Sequence, residues 1–174
     1  MSPIKVMVNG FPGNMAVNVA RHILADERFA LVPFSLTGPE IQASEHTLES
    51  IAIRLLQPEI RTGEIEAIVQ AQGPFISVDY THPSAVNANV DFYCQHQLPF
   101  VMGTTGGDRE SLEKTVQSSA IAAVIAPNMA KQIVGFQAMM EYAAQHFPGL
   151  FEGYTLEIKE SHQKGKADTS GTAR

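Results

Sequence analysis

The sequence predicts an α/β domain built around a parallel sheet, and three observations carry that expectation. Short apolar runs of strand length alternate with segments of helical period along the chain. A glycine turn, Gly10 to Gly13, separates the first run from the first helical segment. Later runs pass directly into glycine- and hydroxyl-bearing loops followed by helical pattern, not by a returning strand, so the crossovers are right-handed and the strands parallel.

In chain order, Ile4, Val6 and Val8 mark the first strand, and Val17, Ala20, Ile23 and Leu24 recur at helical spacing after the turn. Strand, glycine turn and helix together let backbone amides approach a pyrophosphate at the positive end of a helix dipole. A second strand is expected over residues 30–35, ending beside the position of an adenosine ribose, where the chain offers Ser35, Leu36, Thr37 and Gly38. NAD sites usually place a carboxylate there; with none to repel a 2′-phosphate, NADPH is permitted, and NADH is the alternative.

Residues 38–47 read as polar turns and 51–55 as a strand, with Pro58 opening a helix to about Gln70 that Gly73 and Pro74 break. A buried strand follows over 75–80. Asp79 near its end is either a site residue or the residue that fixes the turn, and His82 reads as a surface loop residue. Ser84 is the expected cap of a helix to Gln95 with Val86, Val90 and Phe92 or Tyr93 inward. The strand at Phe100–Met102 delivers Gly103, Thr104, Thr105, Gly106 and Gly107, read as a second loop facing cofactor or substrate. Helix is expected over 109–119, strand over 121–125, then Ala126, Pro127, Asn128 and Met129, and a long helix with Ile133, Val134, Phe136, Met139, Met140 and Ala143 inward. Pro148 and Gly149 close this domain, giving 1–150 as one domain and 151–174 as the first part of another, opening with a strand over 154–160. The loops at Gly10, Gly103 and Ala126 would gather at the C-terminal edge of the sheet.

The 174 residues carry 44% hydrophobic and 17% charged side chains, enough for a sizeable core, and a net charge of −6 that gives no footprint for nucleic acid. Cys94 is the single cysteine and reads as a structural thiol, with no metal-ligand spacing. No apolar run reaches membrane-spanning length and the first strand starts at once, so a soluble, cytoplasmic protein is expected.

The stretch from Glu160 to Thr172 combines His162, Lys164, Lys166 and a Ser170-Gly171-Thr172 turn, the equipment for holding an anion and moving a proton. With the loop ending in Asn14 and Met15, Asp79-Tyr80-Thr81, Gly103-Thr104-Thr105-Gly106 and Ala126-Pro127-Asn128-Met129, it resembles the 4-hydroxy-tetrahydrodipicolinate reductase family of the diaminopimelate route to lysine. The motifs occur in the family's order from end to end. The resemblance implies a Rossmann-like domain, then an α+β domain that builds the substrate site and a homotetramer, of which 151–174 would be only the start.

It further implies that Gly10, Phe11, Pro12, Gly13, Asn14, Met15, Gly103, Thr104, Thr105, Ala126, Pro127, Asn128 and Met129 hold NAD(P)H. His162 and Lys166 would do acid-base work, while Gln163, Ser170, Gly171, Thr172 and Thr105 would bind a small dicarboxylate. Ala16 replaces a loop glycine, Gln163 stands where many bacterial members have histidine, and 168–170 is shorter than theirs, as in the plant and cyanobacterial branch, which admits a plastid stroma location. Two other readings stay open: another nicotinamide-dependent dehydrogenase with this domain order, and a shortened, non-catalytic nucleotide-binding or interaction protein.

Overall fold

A computed structural model describes residues 2–126, 128–155, 157, 159 and 161. The chain divides into two compact units, Met1–Ile125 and Ala126–Arg174. The first contains β1 (Ile4–Asn9), α1 (Asn14–Leu24), β2 (Phe29–Leu31), β3 (Phe34–Leu36), β4 (Glu45–Leu48), β5 (Ile51–Leu56), α2 (Pro58–Gln72), β6 (Ile76–Asp79), α3 (Val86–Gln95), β7 (Phe100–Met102), α4 (Arg109–Gln117) and β8 (Ala123–Ile125). The second contains α5 (Lys131–His146).

Five strands form one sheet in the order β2-β1-β6-β7-β8, and every pair is parallel. The chain leaves β1 toward β2 on one side and later returns as β6 on the other, so the strand order reverses between β1 and β6. There Asn9 pairs with Asp79. A crevice at the carboxyl ends of such a strand pair is where open α/β sheets take ligands.

Alternation along β1 explains the core. Met7 joins a cluster with Leu56, Ile65, Phe75, Val90, Tyr93, Phe100 and Leu112, whereas Val6 and Val8 join another with Phe11, Ala16, Ala20, Ile23 and Leu55. Successive side chains of a strand point to opposite faces, so β1 is covered on both: by α1 on one, and by α2, α3 and α4 on the other. Val86, Val90, Phe92 and Tyr93 are all buried, as the inward face of α3 required.

Three expectations are corrected in the first unit. The second strand, expected over 30–35, is two strands in two sheets. Val32 donates its N–H to the Val6 carbonyl (2.8 Å), but Pro33 has no N–H and its carbonyl accepts from Arg54 instead (3.0 Å). The chain therefore leaves the main sheet at Pro33, and β3 joins a separate sheet of order β3-β5-β4. Residues 45–47, the end of the segment read as turn, form β4 with Leu48 because β5 supplies an antiparallel ladder that local composition does not announce. The helix at Ser84 begins with a 3₁₀ turn, Pro83–Ala85, and its cap is His82, whose ring nitrogen accepts from the Ser84 N–H (3.2 Å).

In the second unit, no residue of α5 is buried. Ile133 and Ala143 are half-buried, while Val134, Phe136, Met139 and Met140, all expected inward, are exposed. Among the described residues this unit has no second helix or strand to cover the helix. Tyr154, Thr155, Glu157 and Lys159, within the strand expected over 154–160, carry no helix or strand. No helix among the described residues is long and apolar enough to cross a membrane.

Candidate active site

The first loop leaves β1 at Gly10, whose φ of +108° is closed to side-chain-bearing residues. A Cβ at Gly10 would overlap the Tyr80 carbonyl group, with the carbonyl carbon 2.6 Å away. Glycine is thus required twice, by torsion and by the approach of the chain leaving β6. The Gly10 N–H donates to the Leu36 carbonyl (2.9 Å), and the Gly13 N–H to the Gly10 carbonyl (2.8 Å).

Phe11 is buried and pins the loop to the core. Its N–H donates to Ser35 Oγ (3.3 Å) and its carbonyl accepts from Thr37 Oγ1 (2.7 Å). The Ser35 and Thr37 hydroxyls, which the sequence placed at the ribose, are therefore buried and hold the glycine loop. Glu40 folds its carboxylate back over Gly38, which brings a negative charge to a segment where the sequence showed none between 35 and 38.

Pro12, Gly13, Asn14 and Met15 are exposed. Gly13 caps α1 without a side chain, and the first turn has no acidic residue. The leading N–H groups of a helix have no partners inside it, so this end of α1 presents bare donors and a positive dipole end. With no Cβ at Gly10 or Gly13, where one would come 2.8 Å from the Gly10 carbonyl oxygen, the backbone forms a cradle that fits a pyrophosphate.

The second loop is held by Asp79, which is fully buried. One carboxylate oxygen, Oδ1, accepts from the Thr81 N–H (2.9 Å), Thr81 Oγ1 (2.7 Å) and Thr104 Oγ1 (3.1 Å). The other, Oδ2, accepts from Tyr93 Oη (2.6 Å) and Asn89 Nδ2 (3.0 Å). The Asp79 carbonyl also accepts from the Gly103 N–H (3.0 Å). Of the two roles open to Asp79 in the sequence, the geometry supports fixing the turn, since all these donors come from the chain itself. A Cβ at Gly103 would run into the Tyr80 ring, with Cζ 2.7 Å away.

Three residues that sequence reasoning missed complete this network. Asn9 accepts the Leu36 N–H (2.8 Å) and donates to Tyr93 Oη (2.9 Å). Asn89 donates to Asp79 and accepts from Arg61 Nη1 (2.5 Å). The Arg61 guanidinium lies over the Phe92 ring, 4.6 Å from its centroid. A signal was present: Asn89 interrupts the apolar stripe of Val86, Val90 and Tyr93, and Asn9 ends an apolar strand.

Burial raises the Tyr93 phenol well above the ordinary tyrosine value, and the Asp79 charge adds to it. Burial lowers the Arg61 guanidinium, opposed by Tyr93 and Asp79. Tyr80 is raised by burial.

Of the other expected site residues, Thr105 is half-buried in the second loop. In the second unit, Asn128 accepts from the Ala130 N–H (3.0 Å) ahead of α5, and Ala126 and Met129 flank it. Pro127, His162, Gln163, Lys166, Ser170, Gly171 and Thr172 lie outside the described residues.

A parallel sheet flanked by helices on both faces, with a glycine loop at the end of its first strand, defines a Rossmann-like domain. The chain belongs to the dihydrodipicolinate reductase family: residues 4–129 match the family model described as dihydrodipicolinate reductase, N-terminus. It is 43% identical over 169 residues to the probable 4-hydroxy-tetrahydrodipicolinate reductase 2, chloroplastic, of Oryza sativa subsp. japonica, covering 97% of this chain and 52% of that protein. It is 44% identical over 174 residues to 4-hydroxy-tetrahydrodipicolinate reductase 2, chloroplastic, of Arabidopsis thaliana, covering 98% and 49%. The chain thus spans about half the length of these curated relatives. The solved structure of dipicolinate-bound dihydrodipicolinate reductase from Paenisporosarcina sp. TG-14 shares the fold, with a TM-score of 0.64 at 22% identity over 84% of this chain and 55% of that one.

Proposed function

We propose that this chain is the nucleotide-binding part of a 4-hydroxy-tetrahydrodipicolinate reductase. It binds NADPH, with NADH as the alternative, and serves the reduction of a cyclic dicarboxylate of the dipicolinate type on the route to lysine. The observation that carries the reading is the bare N-terminus of α1, without a side-chain cap or an acidic first turn, beside the strand reversal at Asn9 and Asp79.

The nicotinamide supplies the hydride when bound. The chain's own part is to bind, orient and protonate. The first-turn amides of α1 and the Gly10–Gly13 backbone take the pyrophosphate, while the second loop, through Thr104 and Thr105, and Ala126–Met129 border the nicotinamide side. In this reading residues 1–150 form the dinucleotide-binding domain and 151–174 the first part of the substrate domain. Lys166 gives the balancing proton, His162 is the neighbouring acid-base group, and Gln163, Ser170, Gly171 and Thr172 hold a substrate carboxylate, positive charge and amides being what a dianionic substrate requires. The homotetramer belongs to the same reading.

Asn14→Asp tests it. A carboxylate in the first turn suits the helix dipole and leaves Tm unchanged or slightly higher, but it repels a pyrophosphate. Titration of nucleotide fluorescence is expected to show NADPH and NADH affinity falling about tenfold or more, roughly the 1.4 kcal/mol of one repulsive contact. Unchanged affinity would remove the pyrophosphate from this helix end.

A further inference from the structure

The two loops assigned to the nucleotide both lie against Tyr80, and one buried carboxylate connects them by hydrogen bonds. From Asp79, one path runs through Oδ1 to Thr81 and Thr104 at the start of the second loop. The other runs from Oδ2 to the Tyr93 hydroxyl, on to Asn9, and from Asn9 to the Leu36 N–H. Leu36 in turn receives the Gly10 N–H on its carbonyl, so this second path ends on the first loop. Every member is ordered by direction. Tyr93 Oη has one hydrogen, given to Asp79, and accepts from the Asn9 amide. Asn89 must turn its amide nitrogen to Asp79 and its oxygen to Arg61.

We propose that Asp79 is a positioning residue for nucleotide binding, holding the Gly10 and Gly103 loops in one fixed geometry through Tyr93–Asn9 on one side and Thr81–Thr104 on the other. The affinity part of this inference rests on the function proposed above. The geometric part does not.

Only a carboxylate meets the requirement. Five donors converge on its two oxygens. An asparagine side chain of the same shape offers one acceptor oxygen and turns an NH₂ toward two or three of those donors. Donor would then face donor in a buried site, where an unmet polar group weighs most. The loops would give way before the core does, because Thr81 and Thr104 stand in loops, whereas Tyr93 and Asn89 are fixed on α3.

The test compares wild type, Asp79→Asn, Tyr93→Phe and Ile65→Ala in the full 174-residue chain, with two readouts. The first is NADPH and NADH affinity by fluorescence titration. The second is amide exchange by NMR in the ligand-free protein at Gly10, Gly13 and Gly103, none of which bonds to the Asp79 side chain.

Asp79→Asn is expected to weaken nucleotide binding by about 10- to 100-fold, the loss of one or two hydrogen bonds to a charged group. Exchange is expected to speed up about tenfold or more at all three glycines. Tyr93→Phe, which cuts only the path to Asn9, should speed exchange at Gly10 and Gly13 more than at Gly103, and it keeps the test decisive if Asp79→Asn does not fold. Ile65→Ala removes a buried side chain of α2 that shares the core cluster of Tyr93 but makes none of these hydrogen bonds; it lowers Tm, and its affinity should stay within about twofold.

Affinity and glycine exchange that remain at wild-type values in Asp79→Asn overturn the proposal, as does a loss of affinity matched by Ile65→Ala at equal Tm. If wild type itself binds neither nucleotide, the function proposed above fails. The exchange data then decide the geometric claim alone: faster exchange in both loops supports it, and unchanged exchange overturns it.

Discussion

The two glycine loops leave strands that flank β6, and they are held by different kinds of contact. At the glycines of the first, main chain meets main chain: Gly10 lies against the Tyr80 carbonyl, and Gly10 and Gly13 are tied by backbone bonds to Leu36 and to each other, with the Ser35 and Thr37 hydroxyls holding only Phe11 between them. In the second, main chain meets side chains: Gly103 lies against the Tyr80 ring, and Thr104 hangs on the Asp79 carboxylate. An added side chain at Gly10 would meet main chain that cannot step aside, whereas one at Gly103 would meet a side chain that can be removed.

The contrast is sharpest in Gly10→Ala. The left-handed torsion and the overlap with the Tyr80 main chain act together, and a cost of about 2–4 kcal/mol is expected. Thermal melts followed by circular dichroism should show Tm lower by roughly 5–15 °C. A melt within about 1 °C of wild type would mean that the loop yields, and the contrast would be lost.

Gly103→Ala is expected to cost less, about 1–2 kcal/mol, since the Tyr80 ring must only turn aside. The decisive comparison is the pair of double variants. Tyr80→Ala should recover about 1 kcal/mol in Gly103→Ala, a direct coupling between touching residues. It should recover nothing in Gly10→Ala, where the obstacle is the backbone. Rescue of both, or of neither, breaks the distinction.

Alkaline pH gives the smallest and most selective effect. The direct partners of the first loop, Ser35, Thr37 and backbone groups, do not ionise in the ordinary range, but the Tyr80 ring packs against Gly103 and Tyr93 belongs to the Asp79 network that joins the two loops. Both phenols are raised above the ordinary tyrosine value in the folded chain. A group whose folded pKa is raised contributes stability that is complete below its unfolded pKa, near 10, and is lost as pH rises through the folded value. Stability should therefore fall above about pH 10, with tyrosinate absorbance of Tyr93 appearing only as the protein unfolds. Tyr93→Phe should flatten that fall; an equal fall in Tyr93→Phe would assign it to other groups.

The same distinction separates what the sequence revealed from what it concealed. The first loop was legible because its requirements are local: a strand, glycines at close spacing and a helical period are written in consecutive residues. The parallel sheet was legible for the same reason. The break at Pro33 was written there too, and the apolar run on either side outweighed it. Thr37 and Ser35 were misplaced because their partner, Phe11, lies about two dozen positions away in sequence and is brought close only when β3 leaves the main sheet. Asp79 was visible as a candidate, but its role was not, since Asn9, Asn89 and Tyr93 converge on one region only after α3 packs on the sheet. For α5 the apolar positions are real, and periodicity names a face without naming what covers it.

The second loop has one more fastening. At its far end, the Asp108 N–H donates to Asn87 Oδ1 (2.9 Å) and the Asn87 amide donates back to the Asp108 carbonyl (3.4 Å). The segment from Gly103 to Asp108 is a strap buckled to the tip of β6 at one end and to α3 at the other, the helix that also carries Asn89 and Tyr93. A pull on the strap is thus a pull on α3, and that helix holds the chain's single thiol, the half-buried Cys94, next to Tyr93. The speed at which a small thiol reagent reaches Cys94 becomes a clock for how often this corner of the protein opens, with no label to be engineered.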